Sequence, residues 1–159
     1  MNNVMKTEFS ALAENEAFAR ALAAAFVMPL DPTVEELTEI KTAVSEAVSN
    51  SIIHGYRDCE DRTAAKVSME CAMYDGGKIV ITVEDQGIGI KDVKQAMEPM
   101  FSTGDSEERS GMGFTVMESF MDSVEVESVL GIGTKITMTK KIKNNVKDEE
   151  FLAVARGEK

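Results

Sequence analysis

The strongest constraint on this chain is a change of period at Val67. Val67, Met69, Cys71 and Met73 alternate with Ser68, Glu70, Ala72 and Tyr74; after Asp75-Gly76-Gly77, Ile79, Ile81 and Val83 alternate with Val80, Thr82 and Glu84. A pleated strand sends successive side chains to opposite faces, so this pattern predicts a β-hairpin with a glycine turn. Its apolar face has to be covered. Ser123 to Val129 and Thr134 to Ile142, joined through Leu130-Gly131-Ile132-Gly133, predict a second hairpin, and Val4 to Phe9 a short edge strand. The cover comes from helices. Ala13 to Met28 carries Leu12, Phe18, Leu22 and Phe26 at helical spacing and stops at Pro29 and Asp31-Pro32. Thr33-Val34-Glu35-Glu36 forms a capping box for a second helix that runs to about Ile53, with Gly55 as its stop. A short helix is expected over Lys91 to Met97 and another over Phe114 to Met121. Pro99 to Gly113 has no period and reads as a mobile loop. The economical arrangement is α+β, with helices on one face of a mixed, mainly antiparallel sheet. Residues 1–143 read as one domain and 144–159 as a polar C-terminal tail.

Composition narrows the function. The chain is 43% hydrophobic and 28% charged, which excludes a disordered or low-complexity protein. Its 17 Lys and Arg against 28 Asp and Glu leave a net charge of -11. That charge argues against direct nucleic-acid binding, which depends on cations that neutralise phosphates. Cys59 and Cys71 form neither a disulfide framework nor a zinc motif. The N-terminus carries Glu8, Glu14 and Glu16 before any apolar run, and Ala21 to Leu30 is too short to span a bilayer. A soluble cytoplasmic protein with no membrane partner is expected.

The chemistry gathers on the second helix and on three glycine turns. Leu37, Ile40, Val44, Val48 and Ile52 make an apolar stripe, and Glu46 and Asn50 stack four residues apart on the opposite face. Gly87-Ile88-Gly89 follows a strand and Asp85, Gly111-Met112-Gly113 opens a helix, and Gly131-Ile132-Gly133-Thr134 opens a strand. Glycine lets backbone N–H groups approach a ligand, and a helix N-terminus attracts phosphate, so the turn from Gly111 to Phe114 suits a polyphosphate. Asp85 is an acceptor suited to an exocyclic amine such as adenine's. Arg109, just before the phosphate turn, is placed to meet a terminal phosphate. No GxxxxGK[ST] loop, no GxGxxG fingerprint and no protein-kinase motif set occurs. His54, at the end of the helix, fits a capping or nucleotide-adjacent role better than that of a phosphoacceptor.

In this order the boxes resemble those of the GHKL ATPases (gyrase, Hsp90, histidine kinase and MutL). Glu46-Ala-Val-Ser-Asn50-Ser-Ile-Ile-His54-Gly55 is similar to their N box, and Asp85-Gln-Gly87-Ile-Gly89 to their DxGxG box. Arg109-Ser110-Gly111-Met112-Gly113-Phe114 resembles the turn that ends the ATP lid, and Gly133-Thr134 the closing Gly-Thr box. A tighter resemblance, from about Met5 to Ile142, is to the anti-sigma F serine kinases of endospore-forming bacteria. It is carried also by Glu14-Asn15-Glu16-Ala-Phe18-Ala-Arg20, Asp31-Pro32-Thr33 and Glu36 to Lys41.

The resemblance implies a Bergerat ATP-binding fold and a homodimer. It implies a protein that binds a sporulation sigma factor, sigma F, and uses ATP with Mg²⁺ to phosphorylate a serine on its anti-anti-sigma antagonist. Carried over residue by residue, it makes Glu46 the catalytic base and Asn50 the Mg²⁺ ligand. It makes Asp85 the reader of adenine with Thr134 in support, Gly87, Gly89, Gly111 and Gly113 the loop glycines, and Arg109 the lid arginine near the γ-phosphate. Thr103 and Ser110 count among the nucleotide-binding residues, and Arg20 contacts the sigma factor. One departure stands out: Phe101-Ser102-Thr103 leads into Gly104-Asp105 where the family carries Lys-Pro. Two alternatives remain open, a general-stress-type anti-sigma serine kinase and a nucleotide-gated binding module without kinase activity.

Overall fold

The computed structural model describes residues 1–98, 108–143 and 157, with the backbone alone for 108–112. Its elements in chain order are β1 (Asn3–Ser10), α1 (Asn15–Val27), α2 (Val34–Ser49), β2 (Lys66–Tyr74), β3 (Lys78–Asp85), α3 (Val93–Ala96), α4 (Glu108–Phe120), β4 (Ser123–Val129) and β5 (Gly133–Lys141). The strands form one five-stranded sheet in the order β1-β2-β3-β5-β4. Every pairing is antiparallel. The hairpins β2–β3 and β4–β5 are the ones the alternation predicts. What joins them is the β3–β5 pairing, in which Ile81 faces Met138 and Asp85 faces Thr134. That register sets the loop after β3 beside the loop before β5.

Period-two alternation gives the sheet one apolar face. Val67, Met69, Cys71, Ile79, Ile81, Val83, Ile136 and Met138 are all at most 1% exposed. The helices cover this face with Ala19, Ala23 and Val27 of α1, Ile40, Val44 and Val48 of α2, and Phe114, Met117 and Met121 of α4, in one continuous core. The alanines of α1 keep it close to α2, and α2 packs between α1 and α4. The opposite face of the sheet is polar, with Ser68, Glu70, Thr82, Glu84 and Lys135. The helix-covered, mainly antiparallel architecture expected from the sequence is therefore the one found. Among the described residues, no helix is long and apolar enough to cross a membrane.

The capping box at Thr33 forms. Glu36 N–H donates to Thr33 Oγ1 at 3.0 Å, and Thr33 N–H donates to Glu36 Oε1 at 2.9 Å. The far end of the same helix differs from expectation. From Asn50 to Gly55 the helix widens into a π-helical turn, closed by the Tyr56 N–H donating to Ser51 O at 3.0 Å. Such turns cluster at functional sites. This one carries Ser51 onto β3.

Two further differences concern helix ends. α4 starts at Glu108, so residues 108–113 are helical where the sequence reads as loop, and Gly111 and Gly113 lie inside the helix instead of opening it. Glycine looks like a breaker when propensity is read alone. At Gly113 it serves helix packing: a Cβ there would lie 3.3 Å from Glu46 Oε2. The rest of the expected loop, residues 99–107, and the tail apart from Gly157 lie outside the described residues. α3 spans only Val93–Ala96, shorter than predicted, and is capped by Asp92 Oδ1, which accepts from Gln95 N–H at 3.0 Å.

One charged group sits at the end of the buried face. Lys140, 7% exposed, donates through Nζ to Glu39 Oε2 at 2.7 Å and to Phe120 O at 2.8 Å. It ties β5 to α2 and to the last turn of α4. Lys140→Met leaves both acceptors short of a donor and is expected to cost about 1–3 kcal/mol. Urea unfolding checks this; an unchanged midpoint contradicts the tie.

Candidate functional site

The site is built around the carboxylate that ends β3. Asp85 is 3% exposed. Its Oδ2 accepts from Ser51 Oγ at 2.7 Å and its Oδ1 from Gly87 N–H at 2.9 Å, and the Thr134 N–H also donates to it. Burial pushes the Asp85 pKa above the ordinary aspartate value, and these donors pull it back part of the way. Each oxygen is an acceptor with capacity beyond the protein donors that reach it.

Glycine makes this burial possible. A Cβ on Gly87 would sit 2.1 Å from Gly55 O, and one on Gly133, whose φ is 149°, would sit 2.1 Å from Asp85 O. The loop after β3 therefore lies backbone against backbone on the end of the π turn, fixed by Ile88 N–H donating to Gly55 O at 2.8 Å. Tyr56 braces it from behind, accepting from Gln86 N–H at 2.8 Å and donating from Oη to Lys66 O at 2.6 Å. On the β5 side, Ser128 Oγ donates to Gly133 O at 3.0 Å and accepts from Ile90 N–H at 2.7 Å. Its hydroxyl also lies 2.8 Å from that of Thr134, so the two side chains are hydrogen-bonded to each other.

Two cavities meet over α2. One, of about 280 Å³, is lined by Gly55, Gly89, Lys91 and Thr134; Asp85 does not line it but lies against Gly55 and Thr134 of its wall. The other, of about 320 Å³, is lined by Glu16, Glu46, Ser49 and Gly113. Asn50 and His54 line both. The result is a cleft with a buried acceptor at one end, Asn50 at the junction and Glu46 at the other end. The structure thus brings together Glu46, Asn50, Asp85, Gly87, Gly89, Gly113 and Thr134. Arg109, Ser110 and Gly111 are placed by backbone only, in the first turn of α4, and Thr103 lies outside the described residues. Arg20 lines neither cavity but borders the second: its Nη1 donates to Ser45 Oγ at 3.1 Å and lies 3.8 Å from Oε1 of Glu16, which lines it. Among the described residues, no group of three or more His, Cys, Asp or Glu could hold a metal ion. A cation here needs a ligand that brings its own oxygens.

Several working residues escaped the sequence reading. Ser51 reaches Asp85 only because of the π turn, which no periodicity announces. Ser128 is tied to Thr134 by strand register. Glu16 enters the second cavity from α1, where its Oε2 accepts from Ser49 Oγ at 2.7 Å. Glu16 stands in a motif noted above, but nothing local in the sequence points it at Glu46.

The profile of the histidine kinase-like ATPase domain family matches residues 9–140. The anti-sigma F factor of Clostridium novyi (strain NT) is 56% identical over 142 residues, 89% of this chain and 96% of that protein. The anti-sigma F factor of Bacillus subtilis (strain 168) is 50% identical over 141 residues, 88% of this chain and 93% of that protein. A solved structure of the RsbU and RsbW domains of Rv1364c from Mycobacterium tuberculosis superposes with a TM-score of 0.65 at 17% identity. It covers 89% of this chain and 33% of the other, and the likeness is one of fold.

The raised pKa of Asp85 carries a stability signature. Below the ordinary aspartate range, about 3.9, the carboxyl is protonated in both folded and unfolded chains, and its buried contacts contribute in full. As pH rises through the higher native value, a charge must be buried and that contribution is lost. Asp85→Asn cannot ionise, so it is expected to gain stability relative to wild type as pH rises through that window. Thermal melts from about pH 4 to about pH 8 test this, and a gap that stays constant or narrows with pH contradicts it.

Proposed function

We infer the function of this chain from its membership: it belongs to the histidine kinase-like ATPase domain family and, within it, to the anti-sigma F factors. We propose that it binds a sporulation sigma factor, sigma F, in the cytoplasm. On this reading it uses Mg-ATP to phosphorylate a serine on its anti-anti-sigma antagonist and works as a homodimer. The observation that carries the proposal is that Asn50 shares one cavity with Glu46 and lines a second whose wall residues Gly55 and Thr134 lie against the Asp85 carboxyl.

The residues present fit the nucleotide and the metal. A carboxylate held by Ser51 Oγ and Gly87 N–H still accepts from an amino group and repels a carbonyl, which favours adenine over guanine. Gly87 and Gly89 let the loop after β3 close against Gly55 and Val129 beside the purine end, and Thr134 is assigned to the same edge. Mg²⁺ prefers an octahedron of oxygens and keeps waters and phosphates as ligands, so the single Asn50 oxygen is enough protein for it. The lid residues Thr103, Arg109, Ser110 and Gly111 are assigned to the phosphates, with Gly113 closing that end. Mg-ATP, when bound, would supply the phosphoryl group, and its Mg²⁺ would offset part of the phosphate charge. What the chain itself does is orient the two ends and accept a proton: a carboxylate oxygen of Glu46 takes the proton of the incoming serine hydroxyl. Arg20, on α1, is in the lining of neither cavity; its partly exposed side chain, held by Ser45 and Glu16, is assigned to a protein partner.

Transfer from labelled Mg-ATP to the cognate anti-anti-sigma protein tests the proposal. Glu46→Gln is expected to lower it by at least ~100-fold while ATP affinity stays within about twofold. Arg20→Glu is expected to weaken sigma-factor binding by at least ~10-fold. Undiminished transfer by Glu46→Gln removes Glu46 from the chemistry. No transfer by wild type, with ATP still bound, reduces the chain to a nucleotide-gated binding module. Unchanged sigma-factor binding by Arg20→Glu moves the partner surface elsewhere.

A further inference from the structure

A larger cavity of about 860 Å³ is lined by Gln86, Gly87 and Ile88 of the loop that follows β3. Its volume falls in the range of ligand sites. Tyr56, Cys59, Ala64, Ala65, Ile88 and Leu130 give it a largely apolar wall. Gly55 and Ile88 line both this cavity and the nucleotide cleft, so the two are separated by little more than one loop. Tyr56, which braces Gln86, lies in the same wall. At its mouth stands the tip of the β4–β5 hairpin, where Val129, Leu130 and Ile132 are 56%, 61% and 66% exposed. Three large aliphatic side chains in four positions is a concentration that marks an interaction surface.

Charge and extent identify the occupant. Asp58 and Asp61 stand in the lining, and the lining cation, Lys66, has its ammonium turned to Ser10 Oγ at 3.2 Å. The mouth therefore favours cationic neighbours, on a chain whose net charge is -11. A small molecule in the cavity would leave Val129 and Ile132 in water. A polypeptide segment covers the hairpin tip and fills the cavity together. We propose that this cavity and hairpin tip form a docking site for a basic, amphipathic segment of a protein partner, and that occupancy changes nucleotide affinity through the shared wall of Gly55 and Ile88. The nucleotide arm of this proposal rests on the ATP reading above; the docking arm does not.

The native thiols make a test possible. Cys59 lines the cavity and is partly exposed, whereas Cys71 is 1% exposed in the core and its thiol is pushed up to about 12 by burial. A maleimide therefore reports on Cys59. The probe is a synthetic Lys/Leu amphipathic helix, with a Glu/Leu helix of the same pattern as control. The Lys/Leu peptide is expected to slow Cys59 alkylation at least ~5-fold and to shift the ATP dissociation constant at least ~3-fold. Both effects are expected to vanish in the double variant Leu130→Ser with Ile132→Ser, which removes apolar surface at exposed positions and leaves every charge in place. No protection of Cys59, equal protection by the Glu/Leu peptide, or protection that survives in the double variant overturns the docking site. Protection without a change in ATP affinity overturns the coupling alone. If wild type binds no ATP, the nucleotide reading fails and the coupling with it, while Cys59 protection still decides the docking site.

Discussion

The carboxylate of Asp85 is the interaction on which the rest of the site depends. A buried charge is tolerated only where donors surround it, and here three parts of the chain supply them. The π turn brings Ser51, the loop after β3 brings Gly87 N–H, and β5 brings the Thr134 N–H. Each donor is also a tether. Through them the end of α2, the end of β3 and the start of β5 converge on one point. Gly55, Gly87 and Gly133 are the positions where that convergence leaves no room for a side chain.

The fold delivers those parts by simple means. Pairing β3 with β5 places both glycine loops at the same end of two central strands. Packing α2 between α1 and α4 spends its apolar stripe on the core and leaves Glu46 and Asn50 over the cleft. Because Glu46 lies in the last turn of α2 and Asp85 is pinned by Ser51 to the π turn that follows, the separation of Glu46 and Asp85 is set by secondary structure. A loop would not hold it so firmly. This is the geometry expected of a site that works by positioning.

Much of this was legible in the residues. Alternation gave both hairpins, Thr33 and Glu36 gave the helix start, and the helical wheel put Glu46 and Asn50 on one face. Asp85 beside two glycines marked an acceptor in a tight loop. What stayed hidden depends on contacts distant in sequence. The π turn at Asn50–Gly55 is held by tertiary bonds, so Ser51 gave no signal. Gly111 and Gly113 read as a break because glycine has low helix propensity, and the packing of α4 against α2, with Gly113 close to Glu46, is not registered locally. Ser128 became part of the site through its register opposite Thr134, which alternation leaves undetermined.

The central claim is that the buried Asp85 carboxyl selects the base of the nucleotide. Calorimetric titration of ATP and GTP into wild type and Asp85→Asn tests it directly at neutral pH. The account predicts that wild type prefers ATP by at least about a hundredfold and that Asp85→Asn loses both the tight ATP binding and the preference. Equal affinity for the two nucleotides, or a preference that persists in Asp85→Asn, would contradict it.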